Sequence, residues 1–430
     1  MPETTSPSSV RIDPARLQAM MEAVSVFGGG AGGSMTRLTL SPEDGQARDW
    51  LATWFRENGF AEKVDPIGNQ FGRLDLAGAN APVVMVGSHI DSQPNGGRFD
   101  GALGVISACE AILAVRESLE KSGGRSACNF VAANWTNEEG ARFQPSLLGS
   151  SVFTGAADLA WALGRRDGAG ISVGEALESI GYAGTDTVPI PDAYLELHIE
   201  GESVLEREGL RFGAFTRFWG AVKYRLAFLG RQAHTGPTPM AARHDALLAG
   251  AYVITDLKAL AGEFGLDLHT SVGRMEVYPN SPNTVPSEAV LFIELRSGSQ
   301  AILAEAETRL LASIEAAAAR AEVGHEIRSI DRRAAGRMSP GLVHLAERAS
   351  DANGAPARSL DTIGGHDAIS LAAVCPSIVL AVPSVGGVIH HPTEFTTPED
   401  HAFGTQVLAD MLLILANEGL SVLEVEKERR

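Results

Sequence analysis

Four apolar runs of strand length, Pro82–Val86, Phe130–Ala133, Ala193–Leu197 and Ile378–Val382, constrain this chain more than any other feature. Runs of this length and apolarity read as strands inside a sheet, and helical stretches such as Ala102–Leu119 lie between some of them. Alternation of the two predicts an α/β sheet with helices packed on it. Ahead of the first run, Asp13-Pro14 and Ser41-Pro42 each read as an N-cap followed by proline at the first helical position, and the second of these helices should close at Asn58-Gly59.

From Ala214 to Ile330 the rhythm changes. Val222, Tyr224, Leu226 and Phe228 alternate as a half-buried strand; a helix is expected over Met240–Phe264, strands on either side of Asn280–Pro286, a helix over Ala301–Arg320 and a short strand over His325–Ile330. Strand, helix, strand, strand, helix, strand is the order of a ferredoxin-like α+β module. With 430 residues, 44% of them hydrophobic, the chain has material for two domains. The expected organisation is a larger domain in two parts, 1–213 and 331–430, with 214–330 inserted.

A formal charge of -18 argues against nucleic-acid partners, which need a basic face for phosphates. No apolar run approaches the length of a membrane span. Met1–Val10 is polar and lacks the basic start and apolar core of a secretory signal, so the cytoplasm is the expected address. Cys109, Cys128 and Cys375 are scattered through apolar stretches and read as buried thiols rather than disulfides. Gly28–Gly33 lacks the strand-turn-helix setting of a dinucleotide site.

Chemistry gathers where the apolar runs end. The first leads into Gly87-Ser88-His89-Ile90-Asp91, where an extended backbone would put His89 and Asp91 on one side and let the carboxylate orient the imidazole. Asp100 closes a glycine-rich turn before a helix, where it could equally serve as an N-cap. Beyond the second run lie Glu138 and Glu139, which could be surface charge or, at the strand ends of an α/β sheet, part of a site. The third run delivers His198, and the fourth leads to His390 and His391. Three strand ends each supplying histidine, with acids on neighbouring loops, make a ligand set for two divalent ions of the Zn, Mn, Co or Ni kind rather than Ca or Mg.

The strings GSHIDSQPNGGRFDGALGV, NWTNEEGARF, ELHIE, AHTGPTPM, PNTVP, GGHDA and HHPTE occur in this order. Together they resemble the amidase/hydantoinase/carbamoylase family, from about Met35 to the C-terminus. That resemblance implies a metallopeptidase-like catalytic domain, a mixed sheet flanked by helices, with the inserted module as lid and dimer contact of a homodimer. It implies a dinuclear centre in which Asp100 bridges two ions, His89 and His198 hold one, and Glu139 and His390 hold the other. Glu138 would be the general base acting on a metal-bridging water, with Asp91 orienting His89. His234 would stabilise the oxyanion across the dimer, Asn283 and Arg296 would hold a substrate carboxylate, and His366 would line the pocket. Taken without the resemblance, His234 reads as a surface histidine and Arg296 as half of a salt bridge. The implied reaction is hydrolysis of a non-peptide C–N amide bond in a small N-carbamoyl or N-acyl amino acid or related ureido acid.

Two positions depart from the family pattern. The family follows its HIE with Gln-Gly-Pro, whereas His198-Ile199-Glu200 continues as Gly201-Glu202-Ser203; and the usual Ser-His-Asn-Pro stands as Ile389-His390-His391-Pro392. The missing Gln removes a donor and an acceptor from beside the substrate, so a ureido group should be read differently here or replaced by another acyl group. The competing readings are a dipeptidase or aminoacylase-like metallopeptidase on the same metal frame, and a catalytically silent binding protein. Loss of a ligand or of the base would mark the last, and neither is lost.

Overall fold

The computed structural model describes residues 10–424; Met1–Ser9, part of the segment on which the expected address rests, lie outside the described residues. Along the chain the strands are β1 (Ala61–Val64), β2 (Gln70–Leu74), β3 (Val83–His89), β4 (Asn129–Trp135), β5 (Ala193–Ile199), β6 (Gly213–Phe218), β7 (Gly220–Leu229), β8 (Ala233–His234), β9 (His269–Tyr278), β10 (Thr284–Val285), β11 (Glu288–Ser297), β12 (Gly324–Arg333), β13 (Gly336–Arg337), β14 (Arg358–Thr362) and β15 (Ser377–Val382). The chain forms two compact units. One takes the chain up to Thr216, Met338–Leu360 and the chain from Gly365 onward; the other takes Arg217–Arg337 and Asp361–Gly364.

In the first unit a mixed sheet runs in the order β1-β2-β4-β3-β5-β15-β6, with β14 also pairing β6. The four apolar runs are its centre. β3 pairs in parallel with both β4 and β5, and β5 pairs in parallel with β15, while β1, β2 and β6 add antiparallel edges. Every residue of β4, β5 and β15 is buried, which is why these runs are apolar without alternation. One face packs against the helices Pro14–Ser25, Ala102–Ser122, Pro340–Ala352 and Pro398–Glu418, through Leu17, Leu103, Ile106, Leu345 and Leu412 among others. A smaller cluster around Ile67, Phe143, Leu148, Val173 and Leu177 forms a separate core.

Local signals set the helix ends. Asp13 accepts from the Ala15 and Arg16 amides, Ser41 from Asp44, and each is followed by proline at the first helical turn. The helix opened by Ser41 ends at Glu57 with Asn58 as its cap, and Gly59 follows with φ 76. Among the described residues no helix is long and apolar enough to cross a membrane. All three cysteines are free; Cys109 and Cys128 are buried and Cys375 is partly exposed.

The second unit is an antiparallel sheet in the order β12-β7-β11-β9, with the helices Ala246–Phe264 and Gln300–Ala321 packed on the face that carries Val222, Tyr224, Leu226, Phe228, Leu291, Ile293 and Leu295. The first of these helices begins six residues later than Met240, because Asp245 caps it through the Leu247 and Leu248 amides and Met240–Ala242 forms a separate 3-10 turn.

Candidate active site

His89 is the last residue of β3 and His198 the penultimate residue of β5; Glu138 and Glu139 follow β4, and His390 follows β15. All sit at the carboxyl ends of the parallel strands. The chain leaves β3 for β4 on one side and eventually for β5 on the other, and that divergence opens a crevice where ligands of such sheets collect.

Asp100 reaches the same place from a turn. It is not spent on capping, since the helix Ala102–Ser122 has Gly101 as its N-cap residue and no side-chain cap bond. Gly101 has φ +65, and a Cβ there would lie 2.3 to 2.5 Å from atoms of the His89 ring. Only glycine lets this helix start against the imidazole.

Two groups of side chains converge on Asp100: His89, Asp100 and His198 form one, and Asp100, Glu139 and His390 the other. Asp100 Oδ1 lies 3.0 Å from His198 Nε2 and 3.9 Å from His89 Nε2, while Oδ2 lies 3.0 Å from His390 Nε2. Glu139 Oε2 is 3.3 Å from His390 Nε2, and Glu138 Oε2 is 3.5 Å from His89 Nε2. The structure places His390 rather than His391 beside the acids. His391 is exposed, with Nδ1 2.8 Å from its neighbour Thr393 Oγ1.

The donor set fits divalent cations. His89 Nδ1 lies 2.9 Å from the Asp91 carbonyl oxygen, and His198 Nδ1 2.9 Å from the Ile199 carbonyl oxygen. A carbonyl only accepts, so each Nδ1 carries a hydrogen and each ring turns its Nε2 toward the carboxylates, the orientation of a metal-binding imidazole. Against burial, the carboxylates around them raise both imidazoles above the usual histidine range, so Nε2 faces a place that favours a positive charge, a proton or a divalent cation. Asp100 Oδ2 is likewise buried without an aligned hydrogen-bond donor. The Asp91 carboxylate stands farther from His89 Nδ1, at 3.6 Å, and its Oδ1 accepts the Glu138 amide at 3.3 Å.

Electrostatics separate the two glutamates. Glu139 is held by Gln93, whose main-chain N–H and side-chain Nε2 donate to its two oxygens at 3.0 and 2.9 Å. Glu138 has no such anchor. Burial, reinforced by the charges of Asp367, Glu139 and Asp100 and opposed by His89, pushes its carboxyl well above the usual carboxylate range. His366 precedes the short helix Asp367–Leu371, and its ring centroid is 4.7 Å from that of His198. Glu196, His198 and His366 make a further group within ligand reach of one another.

Several residues of this site escaped the sequence reading. Buried Glu196 accepts from Ser88 Oγ at 2.8 Å and from the Ala368 amide at 2.9 Å. Asp367 is fully buried. Buried Glu394 accepts three main-chain amides from the Asp100 and His390 segments. Glu196 lies inside an apolar run and Glu394 within the HHPTE string, but neither carries a local pattern that announces its partners.

Three expected site residues belong to the second unit. His234 is exposed on β8, which pairs with β10 so that His234 faces Thr284; its Nδ1 accepts the Gly236 amide at 3.0 Å. Asn283, also exposed, is tied to the same ribbon through the Thr235 amide, which donates to its carbonyl at 3.1 Å. Arg296 lies on β11, pairs with Glu294 at 2.9 Å and donates to the Ile363 carbonyl.

Residues 85–414 match the description Peptidase family M20/M25/M40, a span that holds every residue discussed in this site. The chain belongs to this family. Among its M20 relatives are an N-carbamoyl-L-amino-acid amidohydrolase of Rhizobium meliloti, 35% identical over 94% of this chain and 96% of that protein, and a ureidoglycolate hydrolase of Arabidopsis thaliana, 31% identical over 94% and 86%. Among solved structures, an amidase of the hydantoinase/carbamoylase family from Burkholderia vietnamiensis superposes with a TM-score of 0.91 at 34% identity, covering 96% of this chain and all of that one. This M20 chain is therefore of the amidase/hydantoinase/carbamoylase kind, a hydrolase with a mixed α/β sheet flanked by helices.

Proposed function

We propose that this protein is a dinuclear metal-dependent amidohydrolase acting on the C–N bond of a small N-carbamoyl or N-acyl amino acid or related ureido acid. The observation that carries the reading is the pair of ligand groups sharing Asp100, with Glu138 beside them and anchored to neither. His89, Asp100 and His198 would hold one ion and Asp100, Glu139 and His390 the other. When bound, two such ions polarise a carbonyl and lower the pKa of water towards about 7. Glu138 Oε then takes the proton from the attacking water and returns it to the leaving nitrogen, a role suited to a buried carboxyl that holds a proton readily. Asp91 keeps Glu138 and His89 in register, through its carboxylate on the Glu138 amide and its carbonyl on the imidazole. The free thiols fit a reducing, cytoplasmic address.

Substrate choice turns on Gly201. A Cβ at this position would meet Ile389 Cδ1 and Cγ2 at 3.8 and 3.9 Å, so the place of the family glutamine borders an apolar side chain that directly precedes His390. An apolar wall without an amide favours acyl groups that ask for no hydrogen bonds there. With the ions loaded, a panel of N-acyl amino acids, N-carbamoyl amino acids, ureido acids and dipeptides, followed by release of the free amine, should show turnover of N-acyl as well as carbamoyl substrates. Turnover confined to carbamoyl substrates would remove the argument from Gly201. Turnover of dipeptides alone would replace the amidohydrolase by a dipeptidase.

In the same reading His234 donates to the oxyanion of the tetrahedral intermediate from the partner chain of a homodimer, the second unit serves as lid and dimer contact, and Asn283 and Arg296 hold the substrate carboxylate with His366 at the pocket wall. The guanidinium's fork geometry supports a carboxylate clamp, although Glu294 engages it in this structure. His234→Ala is expected to lower kcat by about 100- to 1,000-fold. Mixing His234→Ala chains with Glu138→Gln chains should restore about a quarter of parent activity, since half the dimers then hold one intact site. If the mixture stays inactive although mixed dimers form, His234 does not act across the dimer.

A further inference from the structure

Glu394 links two segments that lie far apart in the chain. Its Oε1 accepts the amides of Phe99 at 2.8 Å and Asp100 at 3.0 Å, and its Oε2 accepts the amide of His390 at 3.3 Å. Glu394 is only 4% exposed. Amide donors stabilise a buried carboxylate, and the three that Glu394 accepts are main-chain groups of the two ligand segments.

The surroundings are built to admit this side chain. A Cβ at Gly97 would lie 2.1 Å from the Glu394 carboxyl carbon, so the turn before Asp100 leaves room for the carboxylate only because residue 97 is glycine. His390 has φ 58, a left-handed conformation that is uncommon for a residue with a side chain. The bond from its amide to Glu394 Oε2, together with the Glu394 amide donating to the His391 carbonyl at 2.9 Å, holds that conformation. Through it the His390 ring is set beside Asp100 and Glu139.

We infer that Glu394 is a positioning residue for the metal centre, a clamp that fixes the backbones of the shared ligand Asp100 and of His390 relative to each other. The hydrogen bonds it accepts from these two residues come from their main chains. This inference rests on the metal-centre reading.

The test uses Co²⁺, whose visible absorption reports ligand geometry, titrated into the ion-free full-length protein. Glu394→Gln keeps the shape and one acceptor oxygen for Phe99 and Asp100, but turns an NH₂ donor toward the His390 amide. Gly97→Ala leaves Glu394 in place and displaces its carboxyl. Both are expected to weaken Co²⁺ binding by about 10- to 100-fold and to alter the visible spectrum of the loaded protein, with the thermal midpoint of the ion-free protein near the parent's. A role confined to stability would lower that midpoint and leave affinity and spectrum unchanged, which overturns the inference. Failure of both variants to fold overturns it too, since Glu394 would then belong to the general frame. Failure of the parent itself to bind Co²⁺ removes the metal-centre reading, and the clamp with it.

Discussion

Glu138→Gln is expected to cut kcat by about 100- to 10,000-fold, the range of a lost general acid-base group, while leaving ion content and the fold unchanged. The two adjacent glutamates divide the labour. Glu139 is pinned by two hydrogen bonds from Gln93 and lies against His390, whereas Glu138 approaches only His89, at 3.5 Å, and is otherwise surrounded by acids. A glutamine in its place keeps volume and polarity but has no site to receive a proton at neutral pH. Metal analysis beside steady-state kinetics decides the matter. Unchanged turnover would exclude Glu138 as the base, and loss of ions with turnover would make it a ligand.

Asp100→Ala should have an effect at least as large, and of a different kind. Both ligand groups include Asp100, with Oδ1 toward His198 and His89 and Oδ2 toward His390. Its removal leaves two incomplete pairs, His89 with His198 and Glu139 with His390, and deletes the negative charge between them. Ion content is expected to fall from two per chain to less than one and hydrolysis to reach background, because a site missing one protein ligand loses more than the 10- to 100-fold typical of an outer partner. Removal of His390 alone should spare the other group. An Asp100→Ala protein that retains two ions would show that the two groups do not share this carboxylate.

How much of this was legible in the sequence depends on the range of the interaction. The four central strands announced themselves because burial on both faces demands continuous apolar runs, and the candidate ligands were sought at their ends. The short outer strands β1, β2, β6 and β14 did not, since four to six residues that mix polar and apolar side chains carry no clear period. Asp100 left two local meanings open, and the structure closes one of them: Gly101 takes the N-cap position, so the carboxylate is free for the crevice. For Asp91 the sequence suggested a side-chain hold on His89, but the nearer oxygen is its main-chain carbonyl, at 2.9 Å against 3.6 Å. Alternation along an extended backbone cannot tell which of the two oxygens will arrive first. Glu394 was beyond reach because its partners Phe99 and Asp100 are 295 and 294 residues away, and no local pattern encodes a contact of that separation.

The placement of His390 and Glu394 after the last central strand also sets a timetable for biosynthesis. A growing chain has His89, Asp100 and His198 in hand when less than half of it has been made, but the second ligand group stays open until synthesis passes residue 390. On the dinuclear reading proposed above, a nascent polypeptide would lack the Asp100–Glu139–His390 group until then, and filling of both sites would belong to the final stage of its production.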